Sequence, residues 1–226
     1  MTGKVLVTGG ASGLGAAVVT AVRKADGEPC VLDLRPPTED VPYEQCDLAD
    51  SAAAHSATER IIERMGGVDA VVAAAGVDVP GRLEDVPAQQ WERVVRINLF
   101  GTAAVIRAAL PTLRASHGSV VTVASTLGVK AVSDASAYCA SKFGVVGFTR
   151  ALAAELAGEV GVTLLVPGGM RTAFFDDRAE QYRPGPDVVL NDPDNVAQTV
   201  LFAISQPAGC AVRELVVCAA QESSYP

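Results

Sequence analysis

The sequence predicts an α/β protein, a single doubly wound parallel sheet with helices on both faces, and three observations carry that prediction. A short apolar run near the N terminus passes at once into a glycine turn and then a helical stretch. Further short runs of strong β-formers recur down the chain, separated by longer helical stretches or loops, the pattern of strands joined by crossovers. The second of these runs ends in a lone carboxylate, and open α/β sheets bind ligands outside the carboxyl ends of their strands.

The 226 residues suffice for one large α/β domain, residues 1–226, and are too few for two. Apolar residues make up 49 % of the chain, enough for a sizeable core. A net charge of −8 without any cluster of Lys and Arg argues against a nucleic-acid partner. The five cysteines, Cys30, Cys46, Cys139, Cys210 and Cys218, have no CxxC spacing and lie mostly in apolar runs, which suits reduced thiols in a cytoplasmic protein. His55 and His117 stand apart with no ligand at metal spacing, so no metal site is expected. The first residues read as strand and turn, not as a signal peptide. No apolar run reaches ~18 residues, so no membrane span is expected.

In chain order, Lys4 to Val7 is the first strand, TGGASGLG (Thr8 to Gly15) the turn, and Ala16 to Lys24 the helix. Gly9 permits the sharp turn, Gly13 a close approach of phosphate to backbone, and Gly15 close packing of helix on strand. Ser12 and Leu14 complete the loop, and the positive helix end with its free N–H groups would face a pyrophosphate. A glycine turn without a ligand is the other reading. Pro29 to Leu34 is the second strand, and Asp33 at its end stands about twenty residues after the turn, where a dinucleotide fold places the carboxylate that takes the ribose hydroxyls. A 2′-phosphate held ~5 Å away at an effective dielectric of ~20 would be repelled by about 3 kcal/mol per unit charge, roughly a hundredfold. NAD(H) is therefore expected over NADP(H), with Arg35 the one residue placed to neutralise a phosphate. An ordinary strand-end turn is the other reading of Asp33.

Arg35 to Pro42, with three prolines, reads as a loop where a crossover helix is usual. Tyr43 to Cys46 is a third strand; Asp47 and Leu48 after it either hold an adenine or, for Asp47, cap the helix Ser51 to Met65. Val68 to Ala73 is the fourth strand, and the small residues Ala74, Ala75 and Gly76 let the chain pass close to a cofactor or simply fill core. A polar connection, Val77 to Pro87, leads to a helix around Trp91 and an apolar helical run from Ile97 to Leu110. Asn98 within that run is disfavoured unless its side chain or the local backbone has other employment, and a satisfied core amide is the other reading. Gly118 to Ala124 is the fifth strand, with Ser125 at its carboxyl end. Ala137 to Leu156 reads as a buried helix, and Asn195 to Ile204 as another. Arg213 to Cys218 is a last strand, followed by the tail Ala219 to Pro226.

Tyr138 and Lys142 lie four apart and share a helix face. To move a proton near pH 7 to 8, a phenol needs its pKa lowered by ~2 to 3 units, or ~3 to 4 kcal/mol. One ammonium at ~4 Å and an effective dielectric of ~20 supplies about 4 kcal/mol. A core tyrosine with a snorkelling lysine is the bland alternative.

TGGASGLG, Asp33, Asp47-Leu48, Ala75-Gly76, Asn98, Ser125, Tyr138-x-x-x-Lys142 and Pro167-Gly168-x-x-x-Thr172 together resemble the short-chain dehydrogenase/reductase family in order and spacing, over almost the whole chain. The resemblance implies a Rossmann fold, a nicotinamide cofactor and a tetrad of Asn98, Ser125, Tyr138 and Lys142. It further implies that Met170 and Thr172 meet the nicotinamide carboxamide, that Lys142 holds the nicotinamide ribose, and that Asn98 positions a water linking Lys142 to solvent. The reaction implied is hydride transfer between the cofactor and a carbonyl or secondary alcohol of a small to medium substrate. Two departures stand out. Ala73-Ala74-Ala75-Gly76 replaces the usual Asn-Asn-Ala-Gly, with an expected modest loss of local order, and the Arg35 to Pro42 connection is short.

Thr172 to Pro193 is expected to be a compact substrate lid. Phe174 and Phe175 could wall it, and Arg178 and Arg183 either greet an anion or are simply solvated. Ala137 to Leu156 and Val196 to Ile204 could make subunit contacts in a homodimer or homotetramer. A dinucleotide-binding regulator without turnover, and an epimerase or dehydratase using the same Tyr-Lys pair, are the rival functions.

Overall fold

The structure is a computed structural model that describes residues 2–222 and 224–225. Ser223 and Pro226, in the C-terminal tail of the sequence reading, lie outside the described residues. Seven strands, β1 (Lys4–Thr8), β2 (Glu28–Asp33), β3 (Tyr43–Gln45), β4 (Ala70–Ala73), β5 (Ser119–Val123), β6 (Gly161–Pro167) and β7 (Glu214–Val217), form one sheet in the order β3-β2-β1-β4-β5-β6-β7. Every pairing is parallel. Helices α1 (Gly13–Lys24), α2 (Ser51–Met65), α3 (Ala88–Val95), α4 (Thr102–Ser116), α5 (Ser136–Glu155) and α6 (Pro193–Ile204) supply the crossovers and the flank.

Alternation along the strands explains the two layers of core. Leu6, Leu32, Val71, Val120 and Val162 face one side, where Ile61 of α2, Val105 and Leu113 of α4 and Leu152 of α5 cover them. Val5, Val7, Val31, Val72 and Leu165 face the other, against Val18 and Val22 of α1 and Val196 and Val200 of α6. The strand order reverses between β1 and β4, and ligands of such sheets bind at that switch, outside the carboxyl ends.

Local sequence accounts for the element ends. Asp50 caps α2, accepting from the Ala52 and Ala53 N–H groups at 3.0 Å, and Gly66 ends it with φ +65°. Asp192 caps α6, whose first residue is Pro193, two positions ahead of the sequence reading. The connection from β2 to β3 contains no helix, as its prolines foretell; Glu39 within it is pinned by Thr20 and, at 2.7 Å, by Arg23 of α1. β4 pairs with both neighbours through Ala73, and the Ala75 N–H donates to Thr8 Oγ1 at 3.1 Å.

Three readings from sequence need correction. β6, absent from them, sits between β5 and β7 and is almost wholly buried. α3, a π-helical turn at Arg96–Gly101 and α4 run on as one helix, Ala88–Ser116, which continues through Pro111. By length and composition that helix is apolar enough to cross a membrane, and half of its most apolar window is buried inside the fold, against α2, α5 and the sheet.

Candidate active site

Backbone proximity at the carboxyl edge begins with the glycines. Gly9, at φ +72°, passes the exit of β4 so closely that a Cβ would lie 2.8 Å from Ala75 Cα. A Cβ on Gly15 would lie 2.2 Å from the Gly9 carbonyl oxygen, so only glycine lets α1 begin directly on the turn. Gly13, at φ +54°, faces Thr172 across the cleft, with a Cβ position 3.5 Å from that side chain. Ser12, exposed at the N-cap, makes no side-chain bond to the first turn, leaving its N–H groups, with those around Leu14, to an incoming acceptor.

The carboxylate of Asp33 is fixed in place: Oδ2 accepts from the Ala11 N–H and Oδ1 from the Arg35 N–H, each at 3.0 Å. Each oxygen keeps a lone pair for a further donor. Cradle, open helix end and anchored carboxylate together fit a dinucleotide. Asp47 accepts from the Ala49 N–H and pairs with Arg93 at 3.0 Å; it is not the cap of α2, which is Asp50. Leu48 is buried in the core beneath Gly101. Gly76 faces Lys142 and Asn98, its Cβ position 3.4 Å from Lys142 Nζ. Pro167 ends β6; the Gly168 N–H bonds the Val217 carbonyl and the Gly169 N–H bonds Glu222, both at 3.0 Å, while Met170 bridges to Asn191.

The structure brings the four residues of the implied tetrad together. Tyr138 and Lys142 are both buried on α5, with Lys142 Nζ 5.6 Å from the Tyr138 ring centroid and donating to the Val123 carbonyl at 2.8 Å. Ser125 Oγ accepts from the Leu127 N–H at 3.1 Å, and its hydroxyl is the side-chain hydrogen-bond partner of the Tyr138 phenol. Asn98, inside the π-turn, has its side chain fully committed. Its Oδ1 accepts from the Val77 N–H, and Nδ2 donates to the Val77 carbonyl and to Ser141 Oγ, all at 2.9 Å. Ser141 Oγ in turn donates to the Tyr138 carbonyl at 2.8 Å. Asn98 therefore ties the exit of β4 to α5 at the tyrosine, which answers why an asparagine sits in mid-helix.

The electrostatics differ from the sequence expectation. Burial pushes the Tyr138 phenol up to about 12, with the Ser125 hydrogen bond opposing and the nearby Asp78 carboxylate adding to the rise. Burial also pushes the Lys142 ammonium down to about 8. The lysine's hydrogen bond goes to the Val123 carbonyl.

The segment after β6 folds over this site. Its base is closed where Arg171 N–H meets the Asn191 carbonyl and Asn191 N–H meets the Gly169 carbonyl, at 2.8 and 2.9 Å. Phe174 packs on Tyr138 with centroids 5.7 Å apart. Arg178 is not a solvated arginine. Its guanidinium lies 4.8 and 4.7 Å from the Phe174 and Phe175 rings and pairs with Asp78 at 2.8 Å. Arg183 donates to the Arg178 and Asp176 carbonyls at 2.7 Å and so stiffens the segment from within. Asp78 is a site residue the sequence reading missed, folded into a connection described only as polar; a carboxylate two positions past Gly76, in the otherwise apolar Gly76 to Pro80, was the available signal.

Comparison with known proteins agrees with this geometry. The D-threitol dehydrogenase of Mycolicibacterium smegmatis is 36 % identical over 229 residues, covering 92 % of this chain and 88 % of that protein. The 2,5-dichloro-2,5-cyclohexadiene-1,4-diol dehydrogenase of Sphingobium indicum is 30 % identical over 228 residues, covering 92 % and 91 %. The ligand-free structure of Thermoplasma acidophilum aldohexose dehydrogenase superposes with a TM-score of 0.86 at 24 % identity, covering 95 % and 92 %, and bears on the fold alone. A family model described as short chain dehydrogenase matches residues 3–183. With that match spanning most of the chain, the protein belongs to the short chain dehydrogenase family, oxidoreductases that use a nicotinamide cofactor.

Proposed function

We propose that this protein is an NAD(H)-dependent dehydrogenase that interconverts a secondary alcohol and a carbonyl in a small, uncharged substrate, in the cytoplasm and as a homodimer or homotetramer. The observation that carries the proposal is the Tyr138 phenol, hydrogen-bonded to Ser125 and backed by Lys142 under the lid formed by residues 172–193. The relatives named for threitol and for a cyclohexadiene diol support an alcohol substrate.

When bound, the nicotinamide accepts or supplies hydride at its C4 carbon. Gly9, Gly13 and Gly15 with the first turn of α1 would hold the pyrophosphate, Asp33 the adenosine ribose, and Met170 and Thr172 the carboxamide. Asp33 supports NAD(H) because its carboxylate is pinned by two backbone N–H groups and cannot swing away from a 2′-phosphate. Ser125 Oγ accepts from the Leu127 N–H and its hydroxyl bonds the Tyr138 phenol, so a substrate oxygen seated between the two would be held by both hydroxyls. Tyr138 moves the proton to or from that oxygen, and Lys142 supplies the positive charge that steadies the phenolate. Asn98 acts through Val77 and Ser141 as a positioning residue.

A panel of secondary alcohols and ketones, followed by cofactor absorbance with NAD(H) and NADP(H) in parallel, tests the proposal. Higher kcat/KM with NADP(H) would overturn the cofactor assignment, and absence of turnover with every substrate would overturn the reaction. Tyr138→Phe is expected to lower kcat by roughly a hundredfold or more with cofactor still bound. Unchanged turnover would remove the phenol from the chemistry.

A further inference from the structure

The Asp78 carboxylate is buried, its side chain only 3 % exposed, and its two oxygens are in different states. Oδ2 is taken by Arg178 at 2.8 Å. Oδ1 is buried with no hydrogen-bond partner; burial pushes the carboxyl above its ordinary value, with the Arg178 guanidinium and the Val79 N–H opposing that rise. A buried acceptor left without a donor is costly, and a carboxylate oxygen more so than a neutral one. The carboxylate lies close enough to Tyr138 for its charge to raise the phenol. Phe174, which packs on Tyr138, also stacks on the guanidinium that holds Asp78. One aromatic ring, Phe174, therefore joins the proton-transferring group to the ion pair that carries the spare acceptor.

The donor that Oδ1 would take can be narrowed by charge. A carboxylate on the substrate would gain little, because Arg178 is already neutralised by Asp78 and the free oxygen is itself anionic. A plain ketone or monohydric alcohol would leave Oδ1 unpaired. A substrate hydroxyl beside the reacting carbon would satisfy it. We propose that Asp78 is the specificity-determining residue of this site and that its free Oδ1 accepts a hydrogen bond from a second hydroxyl, next to the one that reacts, so that the substrate is a vicinal diol or polyol. This rests on the dehydrogenase reading above and goes beyond it in naming the substrate class.

The test compares kcat/KM for butane-2,3-diol and butan-2-ol with saturating NAD+, in wild type, Asp78→Ala and the double variant Asp78→Ala/Arg178→Leu. The double variant removes both charges, so neither is left buried alone if the single variant folds poorly. The wild-type ratio of diol to monohydric alcohol is expected to be about thirtyfold or more, and to fall to near one in each variant that folds. An equal preference in wild type, a ratio that survives loss of Asp78, or faster oxidation of 3-hydroxybutyrate than of the diol would overturn the assignment while leaving the dehydrogenase standing. Oxidation of neither alcohol by wild type would overturn both.

Discussion

A tyrosine driven up and a lysine driven down by the same burial titrate in an order that the motif alone does not suggest. Lys142 Nζ lies 5.6 Å from the centroid of the Tyr138 ring; a unit charge at about that range and an effective dielectric of ~20 is worth about 3 kcal/mol, or about two pKa units, which offsets the rise from burial and little more. The first proton to leave the pair therefore leaves near pH 8, where Lys142 is placed, and the singly protonated pair is the form able to take a proton from an alcohol. kcat/KM for oxidation should rise with pH through a limb centred near 8. Lys142→Arg keeps a cation that does not release its proton, so the limb must then come from the phenol and move up to about 10. A pH series on both proteins, with tyrosinate absorbance as a second readout, checks this; a limb that stays in place would assign it to another group. Sequence pattern placed these two residues on one helix because their spacing fixes a shared face. It did not foresee that Val123 takes the lysine's hydrogen bond, nor that Asp78 enters the site, because both depend on the exits of separate strands converging in space.

Among the elements, the strand-turn-helix at the N terminus was the most legible, since apolar run, glycine spacing and helical stretch all point to one unit. β6 was the least: Val162 to Val166 is a short apolar run buried on both faces, and such a run carries no alternation to set it apart from the helical stretches around it. The π-turn was equally hidden, because what permits it is the bonding of Asn98 to Val77, 21 residues earlier in the chain. The legible unit also makes the sharper prediction. In Gly15→Ala the new methyl would meet the Gly9 carbonyl at 2.2 Å, a backbone atom with no room to yield, so α1 has to shift as a body off the turn. Urea unfolding should show a loss of roughly 1 to 3 kcal/mol, and the dissociation constant for NADH, read by its fluorescence, should rise in parallel. Unchanged stability and binding would mean that the first turn of α1 gives way without cost and is not the rigid floor of the cofactor cradle.

Surface chemistry decides what the whole molecule does in solution. Of the six phenylalanines, Phe100, Phe143 and Phe202 are each 45 % exposed or more, a large share for a chain with an otherwise well-filled core. Phe100 lies in the π-turn that packs on α5, and Phe143 lies on α5 itself, so both belong to the helical layer over β4, β5 and β6. Phe202 lies on α6, on the other face of the sheet, beside the edge strand β7, whose outer backbone groups have no strand beside them within the sheet. Two separate apolar regions suit two self-complementary interfaces, and two such interfaces in one subunit generate a closed tetramer. Light scattering behind a sizing column should therefore give a mass that is a multiple of the 23.2 kDa chain, two or four. Phe143→Glu and Phe202→Glu, made separately, should each lower that mass by opening one interface, because a buried unpaired carboxylate at the centre of an apolar contact costs more than the contact returns. A wild-type mass of 23.2 kDa at micromolar concentration would instead leave both regions as ordinary exposed surface.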